Sequence, residues 1–185
     1  MIIYLMKILY MPGLASIVDK TYDISKSCKL IHLQELADCT VFDYKKFNPS
    51  HIKQYVMNFD LLFGSSFGGY FAFYLSLSTS KPSISVNPSL YLDERIQSLH
   101  KEYPEKLSFI KQSELKLIKE EPAGTTSPHI HILMNMDDEV ISAAKVIEKA
   151  DKFGSNIYTY EKGSHESTNF QGDMLPTIKM ILNSI

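Results

Sequence analysis

Residues 60–75 read DLLFGSSFGGYFAFYL, and this stretch decides the fold of the chain. Residues 60–63 form a short apolar run of the kind found in buried strands. Residues 67–77 are nearly all apolar, which is typical of a helix that is buried on most sides. Gly64 and two serines stand between the two runs. The stretch therefore predicts a buried strand that turns sharply into a buried helix.

The turn itself, Gly64-Ser65-Ser66-Phe67-Gly68, fits the pattern G-x-S-x-G. In this pattern the central serine sits on a strained strand-to-helix turn with its hydroxyl exposed, and the residues two positions away must be very small. The following helix also directs free N–H groups at the serine. Ser66 is therefore the candidate nucleophile. The alternative is an ordinary glycine-rich turn, because chance matches to so short a pattern are frequent.

The composition is that of an ordinary globular domain. A chain of 185 residues with 44% hydrophobic and 22% charged residues predicts a single domain, 1–185. The net charge of -2 and a single arginine, Arg95, argue against a nucleic-acid partner. Two cysteines, Cys28 and Cys39, do not make a disulfide framework, which favours the reducing cytoplasm. Lys7 and Pro12 interrupt the apolar amino terminus, so we expect a strand there rather than a leader or a membrane span.

Strand patterns alternate with helix patterns along the whole chain. This order predicts an α/β protein with a doubly wound, mostly parallel sheet of about six strands. The expected strands cover 7–11, 39–44, 60–63, 83–87, 129–136 and 156–161, and the expected helices cover 16–36, 48–58, 67–77, 139–153 and 173–185. Residues 89–127 are more polar and carry a helical period, which predicts a small helical insert. Ligands bind at the carboxyl ends of the strands in such sheets.

A nucleophilic serine needs a base, and a histidine supported by a carboxylate fills that role. One known chain order is serine, acid, histidine. Of the six histidines only His165 lies in a loop after the last expected strand, and Asp137-Asp138 closes the strand before it. Ser66, Asp138 and His165 are thus the predicted catalytic residues, with Asp137 as the alternative acid. Two simpler interpretations stay open: the acidic residues cap the next helix, and His165 is a surface histidine.

The developing oxyanion of such a reaction needs two N–H donors. One is expected from Phe67, the residue after Ser66, and the other from the loop after the first strand. Pro12 in that loop has no N–H, so Leu14 is the expected second donor, and Gly13 allows the backbone to approach closely.

A metal site is a weaker candidate. His129 and His131 share one face of an expected strand, but the sequence places no third ligand near them. We therefore predict an ordinary edge or half-buried strand here and no metal.

Five segments of the chain resemble one known group of proteins. From about residue 6 onward, the sequence is similar to the α/β-hydrolase superfamily, and within it to the compact YqiA-like bacterial serine esterases. The segments that carry the likeness are 10–14, 64–70, 86–88, 138–140 and 163–165, together with Phe170. The resemblance aligns Asp138 as the acid. Members of this group usually have His-Gly in the first loop, where this chain has Pro12-Gly13.

The resemblance implies a compact α/β-hydrolase fold and a serine esterase or thioesterase that acts on small acyl substrates without a cofactor. Gly13, Tyr70 and Asn87 lie in or beside the matching segments and are the expected substrate contacts, and the insert at 89–127 is the expected cap over the site. An amidase, peptidase or acyltransferase with the same residues, or a non-catalytic binding protein, is the alternative. The oligomeric state stays open.

Overall fold

The apolar run and the turn around Ser66 lie at the centre of the structure. The structure, a computed structural model, describes residues 5–119 and 129–185. Its strands are β1 (Lys7–Met11), β2 (Asp38–Val41), β3 (Leu61–Ser65), β4 (Ser83–Val86), β5 (Ile130–Asn135) and β6 (Asn156–Tyr160). Its helices are α1 (Ala15–Val18), α2 (Cys28–Gln34), α3 (Ile52–Val56), α4 (Phe67–Thr79), α5 (Leu92–Glu102), α6 (Gln112–Ile118), α7 (Ala143–Asp151) and α8 (Leu175–Leu182). A π-helical turn, Phe170–Met174, leads into α8.

All six strands are parallel, and their order across the sheet is β2-β1-β3-β4-β5-β6. This confirms the doubly wound parallel sheet that the alternation of strands and helices predicted. β3 lies between β1 and β4, with Met11 opposite Gly64 and Ser65 opposite Val86. The carboxyl ends of these three strands therefore meet at one edge of the sheet, around Ser66.

Alternate side chains of each strand pack on opposite faces of the sheet. Leu62 joins the core on the face that carries α4, α5, α6 and α7, whereas Leu61 and Phe63 join the core on the face that carries α2 and α8. Strands that are covered on both faces are apolar throughout, which explains the run that opens β3. The longest described helix, α4, has 13 residues, and no helix within 5–119 or 129–185 is long and apolar enough to cross a membrane.

Residues 16–36 were predicted to be mostly helical. In the structure they do not form one helix, and α1 and α2 cover only the two ends of this segment. The Asp19 side chain accepts the N–H of Thr21 at 2.8 Å, and the Asp23 side chain accepts the N–H of Ser25 at 3.1 Å. Such local bonds offer the backbone an alternative to helical pairing. The chain therefore turns between the helices.

The part of the predicted insert 89–127 that the structure describes contains two helices, α5 and α6, and residues 120–127 of the insert lie outside the described part of the chain. α6 buries Leu115 and Ile118 in the same core as α4. Asp93 of α5 accepts two hydrogen bonds from the Lys119 ammonium, each 3.1 Å long. The described part of the insert is therefore packed onto the sheet's helical layer.

Candidate active site

Ser66 occupies a strained turn between β3 and α4, with φ 50° and ψ −111°. Residues with a side chain rarely adopt this backbone conformation, and it persists only where the surroundings enforce it. A Cβ on Gly64 would lie 2.5 Å from the Gly68 carbonyl oxygen, and a Cβ on Gly68 would collide with the Met11 carbonyl. The two glycines are thus required by close backbone contacts, as the pattern predicted.

The His165 ring lies between Ser66 and Asp138. Its Nε2 is 2.8 Å from the Ser66 Oγ, and its Nδ1 is 2.8 Å from the Asp138 Oδ2. The Asp138 side chain is fully buried and the His165 side chain is 14% exposed. Because an ionised carboxylate only accepts, Nδ1 carries the proton and Nε2 is free to accept the serine hydroxyl. The structure therefore brings the three predicted residues together in a hydrogen-bonded chain.

The remaining oxygen of Asp138 fixes the carboxylate in place. Its Oδ1 accepts the N–H groups of Val140 and Ile141 at 2.8 and 2.7 Å. The alternative that these acidic residues cap the next helix is wrong, because the N–H groups that Asp138 binds precede that helix and its N-cap residue is Ser142. Helix α7 itself begins later, at Ala143.

The two acidic neighbours of Asp138 hold the backbone of the His165 loop. Asp137 accepts the N–H groups of Gly163 and Ser164 at 3.2 and 2.8 Å. Glu139 accepts the N–H of His165 at 3.1 Å. Hydrogen bonds from its own N–H and then from that of His165 lower the pKa of Glu139. Three consecutive carboxylates therefore bind three different parts of the loop at 163–165.

Asn87, at the end of β4, supports the same loop from inside the protein. Its Nδ2 donates to the carbonyl oxygens of Ser164 and His165 at 3.0 and 3.2 Å and to the Ser167 Oγ at 3.2 Å. Its Oδ1 accepts the N–H of Asn135 at 2.9 Å. Asn87 is 1% exposed and does not line the cavity beside Ser66, so its placement contradicts the predicted substrate contact. Its amide is instead used to hold the histidine loop.

Unusual backbone conformations gather at this edge of the sheet. Besides Ser66, positive φ values occur at Asn87 (44°), Ser164 (53°) and Ser167 (61°). Each of these costs free energy that the surrounding hydrogen bonds must offset. The sharp turns let three separate loops converge on the Ser66 hydroxyl.

A cavity of about 250 Å³ opens beside Ser66 and His165. Gly13, Leu14 and Phe67 also line it. Phe67 opens α4, so its N–H has no partner within the helix. The arrangement can therefore place a carbonyl group near a serine hydroxyl, an imidazole and backbone N–H groups.

The sequence of the chain matches one known protein family over nearly its whole length. The sequence model of the uncharacterised protein family UPF0227 matches residues 9–182. The chain belongs to this family. The resemblance to the YqiA-like family is thereby confirmed. No curated protein sequence matches the chain at a significant level.

Solved structures place the UPF0227 protein in the α/β-hydrolase fold. Est1E from Butyrivibrio proteoclasticus has a TM-score of 0.66 and 13% identity, covering 97% of this chain and 88% of its own. Alpha/beta hydrolase domain-containing protein 10 from mouse has a TM-score of 0.62 and 15% identity, with 96% and 90% covered. The esterase Pf2001 from Pyrococcus furiosus has a TM-score of 0.60 and 14% identity, with 97% and 83% covered. At these identities the likeness concerns the fold.

Tyr70 is the other predicted contact that the UPF0227 structure places elsewhere. Its side chain is fully buried in α4, and its hydroxyl donates to the Leu115 carbonyl of α6 at 2.9 Å. The helical period explains this, because Tyr70 lies one turn beyond Ser66 and points into the helical layer. The hydroxyl thus links α4 to the insert.

Sequence reasoning missed several polar residues at this site of the UPF0227 protein. Asn135 ends β5, donates its side-chain N–H to Ser164 at 2.9 Å and accepts from Asn169 at 3.0 Å. Its position at a strand end was a usable signal, since strand ends form the ligand-binding edge. Lys29 and Arg95 also line the cavity. No sequence pattern indicates that either residue lies at the cavity, because each comes from a helix that is distant along the chain from the turn at Ser66.

His129 and His131 were the weaker candidate, a metal site. Within the described residues, no group of three histidine, cysteine or acidic side chains is arranged to hold a metal ion. His131 is 8% exposed, and its Nδ1 lies 3.4 Å from the Tyr158 hydroxyl. Burial lowers the pKa of His131.

Proposed function

We propose that the protein is a serine hydrolase that cleaves carboxylic esters or thioesters of small acyl substrates. The observation that carries this proposal is the hydrogen-bonded chain from Asp138 through His165 to Ser66, with both links at 2.8 Å. The strained turn at Ser66 and the neighbouring cavity support it. A serine hydroxyl becomes a useful nucleophile when an adjacent base takes its proton.

In the proposed reaction, the Ser66 Oγ attacks the acyl carbon while its proton passes to His165 Nε2. The buried Asp138 carboxylate keeps the ring in the tautomer that accepts this proton and stabilises the imidazolium that forms. The imidazolium then gives the proton to the leaving alcohol or thiol. Asp138 stays ionised throughout.

The N–H groups of Phe67 and Leu14 are the proposed donors to the oxyanion. Phe67 stands at the start of α4, where the helix dipole also favours negative charge. Leu14 lies beside the cavity, and a Cβ on its neighbour Gly13 would be 3.6 Å from the Ser66 Cβ. Removing one such donor typically lowers turnover by about 10²–10³.

The second half of the reaction releases the acyl group. Water enters as the leaving group departs, and its oxygen attacks the acyl carbon while His165 Nε2 takes a proton from it. The bond between the acyl carbon and Ser66 Oγ then breaks, the imidazolium returns the proton to Oγ, and the carboxylic acid leaves. A cavity of about 250 Å³ suits a small acyl group. We propose that α5, which places Leu92 and Leu99 in the lining, shapes access to it. We place the enzyme in the reducing cytoplasm, since Cys28 and Cys39 are both free.

A fluorophosphonate probe tests the nucleophile directly, because it reacts covalently with an activated serine. We expect the wild-type protein to be labelled on Ser66 and the Ser66→Ala variant to take no label. Ser65→Ala is the matched control and should be labelled like the wild type, since Ser65 lines the same cavity but does not contact His165. Peptide mass spectrometry locates the label.

A folded wild-type protein without label at Ser66 would contradict the proposal and would favour a binding role. Parallel assays with p-nitrophenyl butyrate, its thioester analogue and its anilide then distinguish ester, thioester and amide cleavage. We expect the anilide to be the poorest substrate.

Tyr70→Phe tests whether Tyr70 contacts substrate. The substitution removes a buried hydroxyl and its hydrogen bond to the Leu115 carbonyl, which still accepts the Lys119 N–H at 3.0 Å, so the expected cost is about 0.5–1.5 kcal/mol. We expect the melting temperature to fall by several degrees while kcat/KM for p-nitrophenyl butyrate changes by less than about twofold. Thermal unfolding and steady-state kinetics measure the two effects. A large rise in KM at unchanged stability would restore Tyr70 as a substrate contact.

A further inference from the structure

The cavity beside Ser66 is lined by two cationic side chains, Lys29 and Arg95, and by one acidic side chain, Glu166. The two cations come from opposite sides of the sheet. Lys29 lies in α2, which packs on one face, and Arg95 lies in α5, which packs on the other. The cations are not needed by the proposed chemistry at Ser66. Their shared position therefore calls for a separate explanation.

Lys29 approaches the cavity beside the histidine loop. Its Nζ donates to the Glu166 carbonyl oxygen at 3.1 Å and lies 5.7 Å from the centre of the Phe170 ring. No carboxylate among residues 5–119 and 129–185 forms an ion pair with it. Burial lowers the pKa of Lys29, while the Glu166 carboxylate opposes that shift. The ammonium thus has N–H groups left for a ligand.

Arg95 is the single arginine of the chain, and its position on α5 points it at the cavity. Leu92 and Leu99, three residues before and four residues after it, line the same cavity. In the described part of the chain, its guanidinium has neither a side-chain hydrogen bond nor an ion pair. A planar guanidinium binds carboxylate or phosphate oxygens through two parallel hydrogen bonds.

We propose that the preferred substrate is an ester or thioester that itself carries an anionic group, a carboxylate or a phosphate, which Arg95 and Lys29 bind beside Ser66. This inference rests on the proposed function and adds the charge of the substrate to it. The apolar side chains of Leu92 and Leu99 contact the carbon chain, and the cations bind the charged end. Glu166 repels an anionic end, but the two positive charges beside it outweigh its single negative charge.

Two matched substrate pairs test the charge preference and locate the anionic group. Mono-p-nitrophenyl glutarate and p-nitrophenyl valerate differ by a carboxylate on the acyl side. Butyryl-phosphopantetheine and butyryl-pantetheine differ by a phosphate on the leaving-group side. We expect kcat/KM for the charged member of at least one pair to exceed that of its neutral match by about tenfold, the size of a charge-assisted hydrogen bond. The preference should shrink in 0.5 M salt, because exposed charges are screened.

Arg95→Gln and Lys29→Gln identify the side chains responsible. We expect each substitution to lower the rate with the preferred charged substrate by about tenfold and the rate with its neutral match by less than threefold. A purely structural role of Lys29, through its bond to the Glu166 carbonyl, would lower both rates together. The ratio of the two rates therefore separates specificity from loop support. Lys26→Gln, a change in an exposed lysine outside the cavity, is the matched control.

Equal rates within both pairs, or a charge preference that survives in both variants, would overturn the inference while leaving a hydrolase. Absence of turnover and of label at Ser66 would instead overturn the proposed function. In that case, calorimetric binding of butyryl-phosphopantetheine and of monomethyl glutarate to the Ser66→Ala protein still decides the charge question. Binding that Arg95→Gln weakens about tenfold supports the cationic site, and an absence of binding by either anion rejects it.

Discussion

Asp138→Asn is expected to lower kcat for ester hydrolysis by about 10⁴-fold without unfolding the protein. The reason lies in the two oxygens of the carboxylate. Val140 and Ile141 donate to Oδ1, so the amide oxygen of an asparagine must occupy that position. The amide NH₂ then faces His165 Nδ1 at the former Oδ2 site. The ring must place its proton on Nε2, where it can no longer accept the proton of Ser66.

Steady-state kinetics with p-nitrophenyl butyrate measures this loss, and thermal unfolding verifies that the variant is folded. Asp137→Asn is the matched control, because Asp137 contacts only backbone N–H groups of the same loop. We expect it to lower kcat by less than about tenfold, since the asparagine oxygen can still accept one of the two bonds. If Asp138→Asn kept more than a tenth of wild-type turnover, Asp138 would not orient the histidine.

Gly68→Ala is expected to prevent stable folding. The new Cβ would overlap the Met11 carbonyl oxygen and also approach the Pro12 carbonyl. These are backbone atoms of β1 and the following loop, so no side chain can move to make room. We expect a loss of more than about 4 kcal/mol in unfolding free energy, among the largest effects of single substitutions. For a chain of this size, that lowers the melting temperature by more than about 8 °C or leaves the protein insoluble.

Gly172→Ala is the control for the same chemical change. A Cβ at Gly172 meets no atom within 4 Å, and alanine is the better residue in a helical turn. Its melting temperature should therefore equal or slightly exceed that of the wild type. Circular dichroism during heating compares the two variants. A Gly68→Ala protein as stable as the wild type would mean that β1 and α4 do not approach each other as described.

The sheet could be predicted because its signals are local and strong. β1 and β3 each begin in a short, mostly apolar run that is followed by turn residues, and β1 begins and ends at the predicted residues. The third strand extends two residues beyond the predicted 60–63, because Gly64 and Ser65 still pair with β1 and β4 before the turn. Strand ends are thus harder to predict than strands, since pairing with neighbours decides them.

The sequence predicted that Ser66, His165 and a carboxylate of Asp137 or Asp138 lie near one another, because the fold brings strand ends to one edge, and the family resemblance favoured Asp138. The supporting contacts did not follow. Asn87 has the right position in the chain for a substrate contact, but its amide faces inward to the histidine loop. Tyr70 likewise faces α6. Which partner each side chain contacts depends on its direction in three dimensions, and no sequence period specifies that direction.

The loop that contains Asp137, Asp138 and Glu139 is constrained in length although it is partly exposed. Surface loops usually tolerate insertions and deletions. Here Asp137 binds the backbone of Gly163 and Ser164, Asp138 binds the His165 ring, and Glu139 binds the His165 backbone. One extra residue between Asp137 and Asp138 would displace Asp138 and Glu139 relative to Asp137, so the three side chains could no longer bind the loop together. We therefore expect natural variation in this region to exchange side chains while keeping the number of residues constant.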